Sequence, residues 1–249
     1  MARYDFRSPR LFVDAPVGPG ARLTLDHAQA NYLCKVLRLA GGDPVLVFNG
    51  RDGEWRCELE RGARRATALN VVEQVRAQTA SGDLHYLFAP LKHARLDYMV
   101  QKAVELGVSR LQPVMTRHTQ AARVNSERMR ANAVEAAEQC GILSIPDIAP
   151  AGARARALAD LGTDRVLIFC DEDADMKDPV AALAPLRRAP PVPLAVLIGP
   201  EGGFAEEERA LLVRRSQTVR LSLGPRILRA DTAAVAALAL VQAVCGDWR

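Results

Sequence analysis

The sequence predicts an α/β protein in which a small β-barrel domain precedes a larger domain built on a mostly parallel sheet. In residues 1–76, short runs of alternating apolar and polar residues are separated by glycine-rich turns. From residue 77 to residue 249, strand-like apolar runs alternate with helical ones. The segment 76–83, RAQTASGD, has neither periodicity, and we therefore place the domain boundary between residues 76 and 77.

The first domain has the signals of a small barrel. Its strand-like runs include DPVLVFNG, EWRCELE and RATALNVVEQV, with NGRDG as a hairpin turn. The run DHAQANYLCKVLRL carries apolar residues at helical spacing and predicts one helix between the strands.

The second domain contains five apolar runs with the length of buried strands. They are LHYLFAPL, SRLQPVMT, DRVLIFCDE, PLAVLIG and TVRLSL. Helical runs lie between or after them, among them RLDYMVQKAVELG, SERMRANAVEAAEQCG and TAAVAALALVQAVCG. Strands that are apolar throughout and separated by helices are typical of a parallel sheet covered on both faces.

Composition excludes some classes of protein. No apolar run approaches the roughly 18 residues of a membrane span, so we expect a cytoplasmic protein with no membrane partner. The five cysteines are scattered and no histidine lies near them at ligand spacing, so we expect no metal. The segment from Lys92 to Arg130 carries eight Lys or Arg residues against three acidic ones. This block suits a polyanion, although such a stretch is more often a solvated face.

Two glycine loops follow the last two predicted strands. AVLIG leads into PEGGF at 195–204, and RLSLG leads into PRILRAD at 220–231. Ligands of open α/β sheets lie beyond the carboxyl ends of the strands, so these loops predict one shared pocket. No phosphate-binding glycine motif is present, and three glutamates at 206–208 occupy the helix start where a phosphate would bind. We therefore expect a ligand without phosphate that lies against bare backbone; the alternative is that the glycines serve only tight turns.

Several blocks of the sequence, in the same order, resemble one family. LIGPEGGF and LSLGPRILRADTAAVAAL resemble the signature of the SPOUT class of RNA methyltransferases, and within it the RsmE family. The blocks at 32–55, 92–120 and 135–148 extend the resemblance over nearly the whole chain. It implies a PUA-like barrel, a SPOUT domain with a C-terminal trefoil knot, and a homodimer. It also implies methylation of N3 of a uridine in 16S ribosomal RNA of the small ribosomal subunit, with S-adenosyl-L-methionine as cofactor.

The resemblance assigns cofactor binding to the two glycine loops and the start of the last helix. The adenine would lie among Leu197, Leu223, Ile227 and Leu228. The full predicted set is Leu197, Ile198, Gly199, Pro200, Gly202, Gly203, Leu221, Ser222, Leu223, Gly224, Ile227, Leu228 and Thr232. The sequence departs from the family pattern at Asp231, where many relatives have Glu, and at Ile142, where many have Arg.

Methylation of uracil at N3 requires loss of the imide proton, and hence a base or a group that stabilises the uracil anion. We predict that Arg229 stabilises the anion through its fixed N–H donors; the alternative is an ion pair with Asp231 or Glu201. Glu201 could accept the proton or orient the cofactor's amino group, or be merely solvated. Asp231 and Thr232 are more typical of helix caps.

Basic residues of both domains are predicted phosphate contacts for RNA. They are Lys92, Arg95, Arg117 and Arg123 in the second domain and Arg3, Arg7, Arg10 and Arg38 in the first. For any one of them a solvated surface is the alternative. Two other functions stay open: a SPOUT enzyme acting on another RNA or on the ribose 2′-oxygen, and a non-catalytic RNA-binding or ribosome assembly protein.

Overall fold

The computed structural model describes residue 5 and residues 7–61, 67–121, 123–188 and 191–248. The chain packs as two compact units. The first comprises the residues up to Ala80 together with Ala137–Ile145, and the second comprises Ser81–Ala136 together with the chain from Pro146 onwards. The segment Ala137–Ile145, which the sequence analysis places in the second domain, thus packs within the first unit.

The first unit is built on a five-stranded sheet. Its strands are β1 (Arg10–Phe12), β2 (Arg22–Thr24), β3 (Pro44–Phe48), β4 (Glu54–Arg61) and β5 (Thr67–Arg76), in the spatial order β1-β3-β4-β5-β2. All neighbours are antiparallel except β1 and β3. Inward-facing residues of these strands, such as Val45, Cys57 and Leu69, form the core of the unit.

The predicted helix of the first unit is shorter than its sequence pattern. Helix α1 (His27–Asn31) begins at Asp26, whose carboxylate accepts a hydrogen bond from the Gln29 amide while the Gln29 side chain accepts one from the Asp26 amide. The chain then continues as a π-helical turn over Tyr32–Val36. That turn ends next to Arg38, which has a positive φ of 59°.

The second unit contains a seven-stranded sheet and six α-helices within the described ranges. The strands are β6 (Leu84–Phe88), β7 (Arg110–Met115), β8 (Asp147–Ile148), β9 (Gly152–Ala153), β10 (Val166–Cys170), β11 (Leu194–Ile198) and β12 (Thr218–Leu221). The helices are α2 (His93–Glu105), α3 (Ser126–Cys140), α4 (Arg154–Ala159), α5 (Pro179–Leu183), α6 (Glu206–Arg214) and α7 (Ala230–Val244). Every strand pair in this unit is parallel.

The five predicted strands are β6, β7, β10, β11 and β12, whereas β8, β9 and α4 were not predicted. Helix α3 begins as its sequence suggests, because the Asn125 side chain accepts a hydrogen bond from the Arg128 amide. Gly107 and Gly141, with φ of 76° and 64°, follow α2 and α3. None of the helices in the described ranges has both the length and the hydropathy that a bilayer span requires.

The strand order determines where the two glycine loops lie. The sheet runs β12-β10-β11-β6-β7-β8, so β10 lies between the strands that lead into the loops. Phe169 of β10 pairs in register with Leu197 of β11, and Cys170 pairs with Leu221 of β12. Both loops therefore leave the sheet at the same edge, on either side of the end of β10.

Candidate active site

The first glycine loop follows β11 and is tightly packed on itself. A Cβ atom added at Gly199 would lie 2.5 Å from Cε2 of Phe204, whose ring packs edge-on against Phe169 with centroids 5.3 Å apart. Gly203 has a φ of +70°, and its amide donates to the carbonyl of Pro200. The conformation of the loop thus requires glycine at positions 199 and 203.

One residue of the predicted adenine pocket, Leu197, has a side chain that is not accessible to a ligand. Leu197 is fully buried and packs in the core with Leu87, Phe169 and Leu212. Because its side chain points into the sheet packing, only its backbone can reach a ligand. A contact of Leu197 with the cofactor therefore stays a prediction that only its backbone could fulfil.

The second glycine loop follows β12 and is more open. Ser222 is buried, Gly224 adopts a φ of +98°, and a Cβ atom added there would meet nothing within 4 Å. Ile227 is 90% exposed, the largest exposed fraction among the large apolar side chains of the described residues. An apolar side chain left this exposed beside a glycine loop is suited to contact a ligand.

Arg95 on helix α2 joins the two loops. Its guanidinium binds Asp231 through two hydrogen bonds, each 3.1 Å long, and also donates to Glu201. Asp231 lies in the first turn of α7, directly after the second loop, and Glu201 lies in the first loop. We call these three residues the Arg95 cluster. The hydrogen bonds from Arg95 lower the pKa of Asp231 below its ordinary value, against the opposing effect of partial burial.

Arg229 occupies the position immediately before α7, where its backbone is extended. Its side chain is exposed and has no hydrogen-bond or ion-pair partner among the described residues. The sequence analysis offered an ion pair with Asp231 or Glu201 as the alternative to an anion-stabilising role. In the structure both carboxylates bind Arg95 instead, so the Arg229 guanidinium is available to a substrate.

His118 is a loop contact that the sequence analysis did not identify. Its Nδ1 atom lies 3.1 Å from the carbonyl oxygen of Gly202 and 3.2 Å from that of Gly203. Since both partners are acceptors, Nδ1 must carry a proton and donate it. A Cβ atom at Gly202 would lie 3.3 Å from that of His118, so glycine allows this close approach. No motif marked the histidine, because the contact spans 84 residues.

One of the three glutamates at the start of α6, Glu208, has structural partners. Glu208 accepts hydrogen bonds from the amides of Ala205 and Arg117, and its carboxylate forms an ion pair with Arg154 at 2.5 Å. At the start of α6 the helix's own carboxylate therefore binds the amide of Ala205, in the region that would otherwise attract a phosphate.

A second cluster of charges lies at the end of β10. Asp171 is 4% exposed; Arg209 of α6 binds it at 3.0 and 3.2 Å, and Arg220 of β12 binds it at 2.8 Å. We call these three residues the Asp171 cluster. Burial alone would raise the pKa of this carboxyl, but the hydrogen bonds from the two arginines outweigh it and lower the pKa below its ordinary value.

The predicted RNA contacts differ in their exposure. Lys92, Arg117 and Arg123 are exposed in the second unit, as are Arg7 and Arg38 in the first. Arg10 is 8% exposed and paired with Glu54 at 3.0 Å, so its guanidinium is not available to phosphate. Arg95 is engaged in the cluster described above, and Arg3 lies outside the described residues.

The remaining predictions concern a metal and the position of Ile142. Within the part of the chain that the structure describes, no group of three His, Cys, Asp or Glu residues could hold a metal ion. Ile142 is half-buried in the first unit, and its amide donates to the carbonyl of Ala137.

Comparison with known proteins identifies the class to which this fold and these loops belong. Residues 78–242 match the family model described as an RNA methyltransferase domain, and residues 25–68 match the RNA methyltransferase PUA domain. Since the first match covers more than half of the chain, the chain belongs to this RNA methyltransferase family.

Within that class the chain belongs with the proteins named ribosomal RNA small subunit methyltransferase E. It is 30% identical to the one from Synechocystis sp. over 90% of this chain and 74% of that protein. It is 28% identical to the one from Rickettsia conorii over 94% of each chain. The predicted membership of the RsmE family is confirmed.

Solved structures confirm the predicted fold, a PUA domain with a SPOUT methyltransferase domain. A methyltransferase from Legionella pneumophila, in complex with the bound cofactor SAM, is 28% identical, with a TM-score of 0.80 over 95% of this chain and 98% of that one. A ribosomal RNA small subunit methyltransferase E from Neisseria gonorrhoeae, 23% identical, has the same fold with a TM-score of 0.83 over 98% of this chain and all of that one.

Proposed function

We propose that this protein transfers the methyl group of S-adenosylmethionine to N3 of a uridine in 16S ribosomal RNA of the small ribosomal subunit. Membership of the ribosomal RNA small subunit methyltransferase E family supports the general activity, SAM-dependent methylation of ribosomal RNA. The observation that carries the particular reaction is the exposed Arg229, which has no polar partner in the described ranges and stands between a glycine loop and α7.

The two glycine loops fit S-adenosylmethionine. At Gly202 the absence of a side chain lets His118 pack closely against the loop, and at Gly224 a Cβ atom would meet nothing within 4 Å, so the loop is open there. The exposed Ile227 offers an apolar surface for an adenine ring. Gly199, Gly202, Gly203 and Gly224 would hold the cofactor through their backbone. When bound, the cofactor supplies an electrophilic methyl group on a positively charged sulfur.

Side chains of the protein then have to stabilise the negative charge that forms on the uracil. Loss of the N3 proton leaves negative charge shared with the two carbonyl oxygens of the ring. Arg229 donates to one of those oxygens and stabilises the anion, because a guanidinium presents several donors in a fixed plane, while N3 stays open to the methyl group. Glu201, half-exposed in the first loop, is the carboxylate that can take the proton or hold the cofactor's amino group.

Exposed basic residues bind the RNA backbone. Lys92, Arg117 and Arg123 in the second unit, and Arg7 and Arg38 in the first, contact phosphates and so position the RNA without reading its sequence. The proposal includes the homodimer that the family resemblance implies and a cytoplasmic location, where ribosomal subunits are assembled.

Labelled methyl transfer tests this proposal. Labelled S-adenosylmethionine is incubated with unmodified small ribosomal subunits and, separately, with naked 16S RNA, and the product nucleoside is identified by mass spectrometry. We expect N3-methyluridine on the subunits. A 2′-O-methylated nucleoside would contradict the proposal and indicate a different reaction, and cofactor binding without transfer would indicate a different RNA. Absence of cofactor binding would favour a non-catalytic RNA-binding or assembly protein.

A further inference from the structure

Arg95 links three elements that are distant in the sequence. It lies in the first turn of α2, 106 residues from Glu201 and 136 from Asp231, and binds both carboxylates. Its contact with Asp231 is bidentate, with two bonds of 3.1 Å. A guanidinium held in this way has little freedom to bind a phosphate, so the predicted role of Arg95 as an RNA contact does not fit its surroundings.

The ion pairs of Arg95 with Glu201 and Asp231 matter because Arg229 lies close to Asp231 in the sequence. Arg229 precedes Asp231 by two residues, at the end of the second glycine loop. Within the described part of the chain its side chain has no charged partner, whereas the carboxylates of Glu201 and Asp231 both bind Arg95. Without Arg95, Asp231 would lose the cation that binds its carboxylate, two residues along the chain from an arginine whose guanidinium has no partner among the described residues.

We propose that Arg95 is a positioning residue that binds Glu201 and Asp231 and thereby keeps Arg229 unpaired for the uracil anion. This inference rests on the proposed function, because it assigns Arg229 to that anion. An ion pair with Asp231 would neutralise Arg229 and turn its donors away from the substrate. The loss would concern the chemical step rather than cofactor binding, since the backbone of the glycine loops is unchanged.

The test is a pair of variants measured on small ribosomal subunits. Arg95→Ala should lower kcat by roughly 10²-fold, the size of effect expected from misplacing a group at the reacting centre, with a smaller change in KM for S-adenosylmethionine. Arg95→Ala combined with Asp231→Asn should regain about tenfold in kcat, because the competing carboxylate two residues from Arg229 is gone, while Glu201 remains and keeps the recovery partial; the amide oxygen can still accept from the Thr232 amide. That rescue is the result that a merely structural role of Arg95 would not give.

Two further variants keep the test decisive. Arg95→Lys retains the charge but not the bidentate geometry, so it should fall between the wild type and Arg95→Ala, and it replaces Arg95→Ala if that variant does not fold. Arg156→Ala is the matched control, because it removes an exposed arginine whose ion pair with Asp160 is a long contact of 4.0 Å. Its kcat should equal that of the wild type.

The outcomes separate this inference from the proposed function. A double variant no more active than Arg95→Ala would overturn the positioning role. A rise in KM for the subunits at constant kcat would overturn it as well and indicate an RNA contact instead. If the wild type forms N3-methyluridine and the rescue fails, only the role of Arg95 is wrong; if the wild type forms another nucleoside, the proposed function is wrong.

Discussion

The two charge clusters of the second unit, the Asp171 cluster and the Arg95 cluster, have opposite compositions. The Asp171 cluster has one carboxylate bound by two arginines, and the Arg95 cluster has one arginine bound by two carboxylates. They also differ in the burial of their carboxylates. The Asp171 side chain is 3% exposed, whereas those of Glu201 and Asp231 are 41% and 18% exposed. The arginines of the two clusters are similar in exposure, at 35% and 23% for Arg209 and Arg220 and 32% for Arg95.

This difference separates a structural from a functional use of charge. A buried carboxylate must keep its partners, because an unpaired charge away from water is costly. The Asp171 cluster therefore holds α6 and β12 against the end of β10 and offers little to a ligand. A half-exposed cluster contributes little to folding but can rearrange when a ligand binds. The comparison predicts that variants of the two clusters affect different measurements.

The largest effect is expected at Arg229, the cation that the Arg95 cluster leaves free. Arg229→Ala should lower kcat by about 10²- to 10³-fold, as for the loss of one donor to a developing anion. The free energy of unfolding should change by less than about 0.5 kcal/mol, because the side chain is exposed and no partner is lost. Steady-state kinetics and urea unfolding check the two expectations.

Arg214→Ala, which removes an exposed arginine from the last turn of α6, is the control for Arg229→Ala and should leave kcat unchanged. Full activity of Arg229→Ala would show that Arg229 has no part in the mechanism. It would also contradict the functional role assigned to the Arg95 cluster.

Asp171→Ala should have the next largest effect, and on stability. Two arginines would lose a shared buried carboxylate, which we expect to cost about 3 kcal/mol in the free energy of unfolding. Asp175→Ala is the matched control, because Asp175 also binds Arg220, at 2.9 Å, but its side chain is 95% exposed. Urea unfolding should show a loss below about 1 kcal/mol for that control. Equal losses for the two variants would mean that burial does not distinguish the clusters.

Gly199→Ala should act on cofactor binding. The new Cβ atom would lie 2.5 Å from the ring of Phe204, so the ring or the loop has to shift. We expect affinity for S-adenosylmethionine, measured by calorimetry, to fall by about tenfold, equivalent to about 1.4 kcal/mol. Gly82→Ala, where a Cβ atom would meet nothing within 4 Å, serves as the control. An unchanged affinity in Gly199→Ala would show that the loop adapts without loss.

The smallest effect is the response of stability to acid. The pKa of Asp171 is lowered from its ordinary value of 3.8, so its ionised form stabilises the fold above that pH, and this stabilisation is lost as the pH falls through the lowered pKa. Asp231 acts in the same direction. Urea midpoints measured from neutral pH down to acid should fall less steeply for Asp171→Asn than for the wild type. Parallel pH profiles would contradict this assignment.

The sequence predicted the parts of this molecule that have local signals. The five long strands of the second unit have continuous apolar runs, α3 has a capping residue, and the glycine loops have their own composition. The short strands β8 and β9 have two residues each, too few to show a periodicity. The run that contains the π-helical turn at Tyr32–Val36 has its apolar residues at ordinary helical spacing, so the pattern does not reveal the turn.

The partners of the site residues could not be predicted where they are distant in the sequence. Arg95 was assigned to RNA because a lone arginine in a basic block resembles its neighbours, and its partners lie more than a hundred residues away. Arg10 was assigned to RNA for the same reason and is instead buried against Glu54. The contact of His118 with the first glycine loop had no sequence signal at all. The prediction of a trefoil knot rests only on the family resemblance, since hydrophobic patterns do not report chain threading.

Hydrogen exchange of the wild-type protein with and without S-adenosylmethionine tests the central claim, that the two glycine loops form the cofactor site. We predict slower exchange in peptides that cover residues 197–204 and 221–230, and no change in the strands of the first unit. Protection confined to the first unit, or none in either loop at a saturating cofactor concentration, would contradict the claim.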